Sequence, residues 1–374
     1  MKNRKKVWML AVGMGLVLLS GCGGEKQKIY EQAEEDLENG SYAYALEGYA
    51  ASVANGVHLP ESYRGAGLAS LRLGDYEGAI EQFTNALNCE KVSKALSRDI
   101  LLYRASAEQK AGLYEDAMAD CQTLAQDYSM DADSYYLTGK VALALDSYDE
   151  AATNFEQAYG ENATYDMAIQ IYEAYLEKDM EADGTRYLEA ALTTEPKKAE
   201  DYCDRGRVYY YMEDYESARE ELIQAANEDS TEALLLLGTV YLAQNDISNA
   251  RSMYQEYVSK EGASAKGYNG LALCDIAEGN YSGALTNIAD GLPTAETEDM
   301  QNLLFNEIVA YEKQLDFSTA LQKTREYLEF FPDDTAAAKE LAFLKSRVEN
   351  TQASAEDTGT DQQENTEDSS ETAE

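Results

Sequence analysis

Along most of the chain, apolar residues recur three and four positions apart, the spacing of a single stripe on an α-helix. Polar or glycine punctuation interrupts the stripes at Gly40-Ser41, Gly74-Asp75, Asp214 and Gly279-Asn280. The segment Gly-Asp-Tyr-Glu-Gly-Ala-Ile at Gly74–Ile80 returns in altered form throughout the chain. Its aromatic or apolar anchor falls at Tyr42, Tyr76, Tyr114, Tyr148, Tyr215, Ile247, Tyr281 and Phe317, and a degenerate copy has Glu181 in that slot. Successive anchors lie about 34 residues apart, the scale of a repeated supersecondary unit.

Position by position, the repeats point to close packing of two helices. Three residues after each anchor stands a small residue: Ala45, Ala79, Ala117, Ala151, Gly184, Ala218, Ala250, Ala284 and Ala320. Four residues further on, a bulkier one follows in most copies, such as Phe83, Phe155, Leu222, Tyr254 or Ile288. The preceding helix of each unit has its own small residue, at Ala33, Gly67, Ala105, Gly139, Gly206, Gly238 and Ala272. Tyr172 and Ile308 break that rule, which predicts looser packing or a tilt in the fifth and ninth units. Pro60 is expected to start a helix, and Pro196, Pro293 and Pro332 to follow helix ends, so all four prolines leave helix interiors intact. The stretch from Asn88 to Asp99 is the longest spacer and predicts an extended helix or loop there.

A period of this length with this signature resembles the tetratricopeptide repeat, and the resemblance covers residues from about Ile29 to Pro332. It implies an all-α fold: a right-handed superhelical solenoid of antiparallel helix pairs, about nine repeats over residues 29–333. Such an array needs a polar cover at its end. Thr335 to Glu349 reads as an amphipathic helix, with Ala338, Leu341, Phe343, Leu344 and Val348 partly on one side, and is assigned as a capping helix over 334–349. From Asn350 onward there is no large apolar residue, and the acids from Glu356 to Glu374 meet no Lys or Arg. Residues 350–374 are therefore expected to form a disordered acidic tail.

The N-terminus carries a different signal. Lys2, Arg4, Lys5 and Lys6 precede Val7 to Leu19, an unbroken stretch of apolar residues and glycine. That stretch is shorter than the roughly 20 residues a membrane-spanning helix needs and fits a signal peptide. The run Leu19-Ser20-Gly21-Cys22 resembles the bacterial lipobox. The resemblance implies cleavage after Gly21, removal of residues 1–21 with the only tryptophan, Trp8, and diacylglycerol on the Cys22 sulfur. Residues 22–28 are then the lipidated cysteine and a short polar tether. The implied location is the extracytoplasmic face of a cell membrane, with the Gram-positive plasma membrane favoured over the outer membrane of a two-membrane bacterium.

Composition removes several classes of function. The 374 residues carry 30 Lys+Arg against 70 Asp+Glu, a formal net charge of −40. Such a field repels phosphate backbones, so no nucleic-acid partner is expected. One histidine, His58, sits ahead of Pro60 and has no second imidazole with which to share a metal. Cys89, Cys121, Cys203 and Cys274 form no Cys-x-x-Cys pair and are expected as buried free thiols. Acidic clusters such as Glu34-Glu35-Asp36 lack the spacing of a calcium loop, and no carboxylate pair stands out among so many. The chain is read as having no cofactor, no metal and no enzymatic activity.

In this family the first helices line the concave side. Sliding along the period gives one inward column of Tyr30, Arg64, Leu102, Tyr136, Ile169, Cys203, Leu235, Asn269 and Phe305. A second column holds Glu34, Leu68, Ser106, Lys140, Glu173, Arg207, Thr239, Leu273 and Val309. Its lack of asparagine leaves the carboxylate clamp of some family members unsupported. Arg64, Tyr136, Lys140, Arg207 and Tyr210 remain as candidate groove residues. They would meet the carboxylates and apolar side chains of an extended peptide, unless neighbouring acids already neutralise the cations. The expected function is a membrane-anchored protein–protein interaction scaffold in envelope assembly, secretion or wall maintenance. A lipoprotein that binds glycans or small solutes is the alternative, because tyrosines stack on sugars.

Overall fold

The computed structural model describes residues 23–332 and 334–364. The expected signal peptide, Cys22 and the end of the tail from 365 lie outside them. Every described element is helical, and the chain divides into two compact units, Met1–Ala158 and Tyr159–Glu374.

In the first unit the helix pairs are α1 (Gly23–Glu38) with α2 (Tyr42–Ala54), and α3 (Leu59–Arg72) with α4 (Tyr76–Leu87). They continue as α5 (Lys94–Lys110) with α6 (Tyr114–Asp127), and α7 (Ala132–Ala144) with α8 (Tyr148–Glu161), whose last residues from Tyr159 fall in the second unit. The second unit contains α9 (Tyr165–Leu176) with α10 (Glu181–Ala191), and α11 (Ala199–Tyr211) with α12 (Tyr215–Asn227). Next come α13 (Thr231–Ala243) with α14 (Ile247–Glu261), and α15 (Ala265–Glu278) with α16 (Tyr281–Gly291). A 3₁₀ turn at Leu292–Thr294 leads to α17 (Thr297–Lys313) with α18 (Phe317–Phe330), and α19 (Thr335–Glu364) closes the order. In each pair the first member is called the A helix and the second the B helix.

All nine anchors, Glu181 included, are the first residues of B helices. Two positions before each anchor the backbone turns left-handed, at Gly40, Gly74, Gly112, Asp146, Asp179, Glu213, Asn245, Gly279 and Leu315. That single residue reverses the chain, so glycine, Asn and Asp are favoured there. Leu315 is a bulky exception with φ 63°. One position later, Asp75, Asp214, Asp246, Asn280 and Asp316 accept the N–H of the third helical residue and cap the B helices.

Within a repeat, the A and B helices are keyed by a small residue facing a large one. A Cβ at Gly67 would lie 2.6 Å from the Phe83 ring, at Gly139 2.6 Å from Phe155, at Gly206 2.4 Å from Leu222, and at Gly238 2.5 Å from Tyr254. Each of these partners is buried and sits sixteen positions after its glycine. Tyr254 is also gripped by the next repeat, where a Cβ at Gly270 would come within 2.3 Å of its ring. Stacking thus buries a face that no hairpin could bury alone.

The fifth and ninth repeats are not loosened by their departures. Tyr172 is buried, and Gly184 on α10 gives way to it, since a Cβ there would lie 2.9 Å from the Tyr172 Cα. The small and large roles have changed helices. Ile308 is likewise fully buried, with Ala320 and Leu321 in its core cluster. The long spacer is divided between a short loop and α5, at 17 residues longer than the 14 of α3 before it and the 13 of α7 after it.

Two boundaries and one buried face differ from expectation. The tether is helical, because α1 begins at Gly23 and Glu25 to Lys28 are good helix formers with Glu25 in the favourable first turn. The buried stripe of α19 is Ala337, Leu341, Leu344 and Val348, which leaves Ala338 and Phe343 exposed. The α19 backbone also continues to Glu364 rather than ending at 349, since no proline interrupts Gln352, Ala353, Ala355 and Glu356. No helix among the described residues is long and apolar enough to cross a membrane.

Candidate functional site

The A helices carry every candidate groove residue, in two separate groups. In the first unit, Arg64 lies on α3 while Tyr136 and Lys140 lie one turn apart on α7. Arg64 is half-buried and donates through Nε to Asp99 on α5, with its guanidinium 5.5 Å from the centre of the Tyr103 ring. Burial works against its charge, and Asp99 more than offsets this, so the Arg64 pKa is raised. The cation therefore ties two successive A helices. Tyr136 places its ring 6.0 Å from Phe155, the bulky residue of its own repeat, and Lys140 is half-buried.

In the second unit, Arg207 on α11 reaches Asp166 on α9 at 3.0 Å and Asp204 at 3.4 Å. Burial pushes the Asp204 carboxyl up to about 6; Arg207 opposes the rise, while Asp166, Glu232 and Glu200 reinforce it. One turn beyond Arg207, Tyr211 donates its hydroxyl to Glu173 on α9. Burial, and then that bond, raise its pKa. Tyr210 points elsewhere. Its ring lies 5.9 Å from Tyr211 and 5.9 Å from Tyr215, against the core of its own hairpin. Thus Tyr211, not Tyr210, shares the face with Arg207, as its four-residue spacing along a helix would have indicated.

The first inward column is interrupted. Ile169 and Cys203 are 1% and 2% exposed, so at those repeats the column is core rather than groove. The second column stays half-buried through Glu173, Arg207, Thr239, Leu273 and Val309. Between α15 and α17, Asn306 donates to Asn269 at 2.8 Å, another tie between successive A helices.

The spacing of sixteen residues that keys the hairpins also places charge. Arg104 meets Asp120 through two bonds of 2.7 Å, Arg205 meets Glu221 at 3.0 Å, and Lys323 meets Glu307 at 3.1 Å with the signs exchanged between helices. The motif reading missed these pairs. The matched spacing between Arg104 and Asp120 and between Arg205 and Glu221 was the available signal. Arg205 further binds the carbonyls of Leu192 at 3.0 Å and Thr194 at 2.8 Å, pinning the loop after α10.

The remaining chemistry is quiet. Cys121, Cys203 and Cys274 are buried and Cys89 is half-buried. Burial pushes the three buried thiols up to about 11, 12 and 11, so little thiolate exists at neutral pH. His58 immediately precedes α3 in a left-handed conformation, with no capping bond from its side chain, and contacts Gln27 of α1 at 3.1 Å, a structural link between the first two repeats.

Several solved structures resemble the chain at low identity. The chain resembles a tetratricopeptide repeat protein from Parabacteroides merdae, with 19% identity over 67% of this chain and 99% of the other, at a TM-score of 0.44. It also resembles MamA from Desulfovibrio magneticus, with 17% identity over 46% and 96% of the two chains and a TM-score of 0.40. Yeast Tom70 matches with 13% identity over 88% and 96%, at a TM-score of 0.28. No curated protein matches the chain. The sequence profile of the tetratricopeptide repeat matches residues 30–92, 102–166, 203–268 and 235–297, more than half of the chain. With its anchors, reversals and keyed hairpins in register, the chain belongs to the tetratricopeptide repeat family.

Proposed function

We propose that this protein is a lipid-anchored scaffold of the bacterial cell envelope, holding a protein or peptide partner along the face lined by its A helices. The anchor is Cys22, acylated after loss of residues 1–21, and the array faces the extracytoplasmic side of the cell membrane. Two acyl chains on one cysteine supply the two hydrophobic signals that stable attachment needs.

One observation supports the scaffold reading most. The glycine, alanine and bulky positions that define the repeats are engaged in stacking, whereas Leu273 and Val309 remain half-buried at the same register of successive A helices in the second unit. Arg64 on an A helix of the first unit already holds Asp99, and Arg207 on an A helix of the second already holds Asp166 and Asp204. A partner carboxylate would have to displace those acids. Affinity therefore rests on the apolar and tyrosine positions, and the cations set orientation.

The anchor is tested by Cys22→Ala in the cells that make the protein. The variant is expected to lose its acyl label and leave the detergent phase, either retained with its leader or shed into the medium. A variant that partitions into detergent as the wild type does removes the lipoprotein reading.

A further inference from the structure

The third repeat contains a buried acid that stacking alone does not explain. Glu108 lies near the C-terminal end of α5, its side chain 8% exposed, and its Oε2 atom has no hydrogen-bond partner. Among the described residues the cation paired with it is Arg104, 3.7 Å from Oε1. Arg104 is already engaged: it holds Asp120 on α6 through both oxygens and contacts Thr84 of the preceding repeat at 3.2 Å. The other titratable groups around Glu108 add no positive charge. Asp120 and Asp116 on α6 are like charges, and the neighbouring thiol of Cys121 is neutral. The C-terminal end of a helix is itself unfavourable to a carboxylate.

A buried carboxylate with an unpartnered oxygen, sharing a fully used arginine, is far more costly than the neutral acid in the same place. We propose that Glu108 is a proton-binding site built into the third repeat, whose protonation tightens the α5–α6 hairpin and whose ionisation loosens it. Burial first and then Asp120 push its carboxyl up to about 7; Arg104 opposes them, and Asp116 adds a smaller push. In the unfolded chain the group ionises near the ordinary glutamate value. The stabilisation is therefore complete below that value and is lost as pH rises through about 7. The hairpin thus responds to acidification in the range where ordinary glutamates do not.

Hydrogen exchange on the full chain in detergent, between pH 6 and pH 8.5 and corrected for intrinsic rates, reads this directly. In the wild type, protection of α5–α6 relative to α3–α4 is expected to fall at least about tenfold across that range. Glu108→Gln, which imitates the neutral acid, should abolish the fall. Asp116→Asn, an exposed change that removes one like charge, should move the midpoint to lower pH. A flat ratio in the wild type, or the same fall in Glu108→Gln, overturns the proposal. Should Glu108→Gln fail to fold, an unmoved midpoint in Asp116→Asn overturns it instead.

Discussion

Replacing Arg104 with alanine is expected to destabilise the first unit by roughly 3–5 kcal/mol, the cost of leaving a buried charge without its partner. The penalty is large because two acids are stranded together. Asp120 loses both of its bonds and Glu108 the cation beside it, with the two side chains 9% and 8% exposed. The variant should recover part of its urea midpoint as pH falls toward 5, because protonation of Glu108 removes the repulsion. Asp120→Asn should be milder, since it leaves Arg104 with Glu108. By contrast, Lys198→Ala breaks an ion pair whose members are 63% and 69% exposed, and no measurable loss is expected. Equal midpoints for the Arg104 and Lys198 variants would refute the importance given to burial.

Gly270→Leu should unfold part of the second unit, at a cost of about 3 kcal/mol, the upper end of ordinary overpacking. The first added carbon would lie 2.3 Å from the Tyr254 ring, and the ring cannot retreat because Gly238 already receives it from the other side. Tyr254 is also tied at its hydroxyl to Thr239, 3.2 Å away. Gly160→Ala is the matched control. It lies in α8 with nothing within 4 Å of the new carbon, so a small gain of about 0.5 kcal/mol is expected from helix propensity. Thermal melts of both variants check the pair, and a harmless Gly270→Leu would mean that backbone approach at the repeat junction is not required.

The repeat frame was legible because one physical requirement recurs at fixed register. Every hairpin needs a reversal, a cap and a small–large contact, and each leaves a residue type that pattern reading detects. Tyr172 shows where that reading stops. A large residue in a small slot looks like a defect until its partner Gly184 is seen to have taken the small role. Complementary volume belongs to the pair and not to either position.

The A-helix face was less legible. Arg64 and Arg207 stood out as cations on an acidic chain, yet their partners Asp99 and Asp166 lie 35 and 41 residues away, outside any local motif. Glu108 is one acid among 70; Asp120 and Asp275 are buried as deeply, and Glu108 differs from them in the carboxylate oxygen that has no partner.

The scaffold reading stands or falls on which face of the array meets a partner. A photo-crosslinking side chain placed at Leu273 or Val309 samples the A-helix face of the second unit, and one placed at Ser252 or Gln255 samples exposed positions on α14. With the full chain in its native membranes, illumination is expected to give a discrete protein adduct from Leu273 and Val309, and none from Ser252 or Gln255. Adducts confined to the α14 positions, or no protein adduct from any of the four, would contradict it.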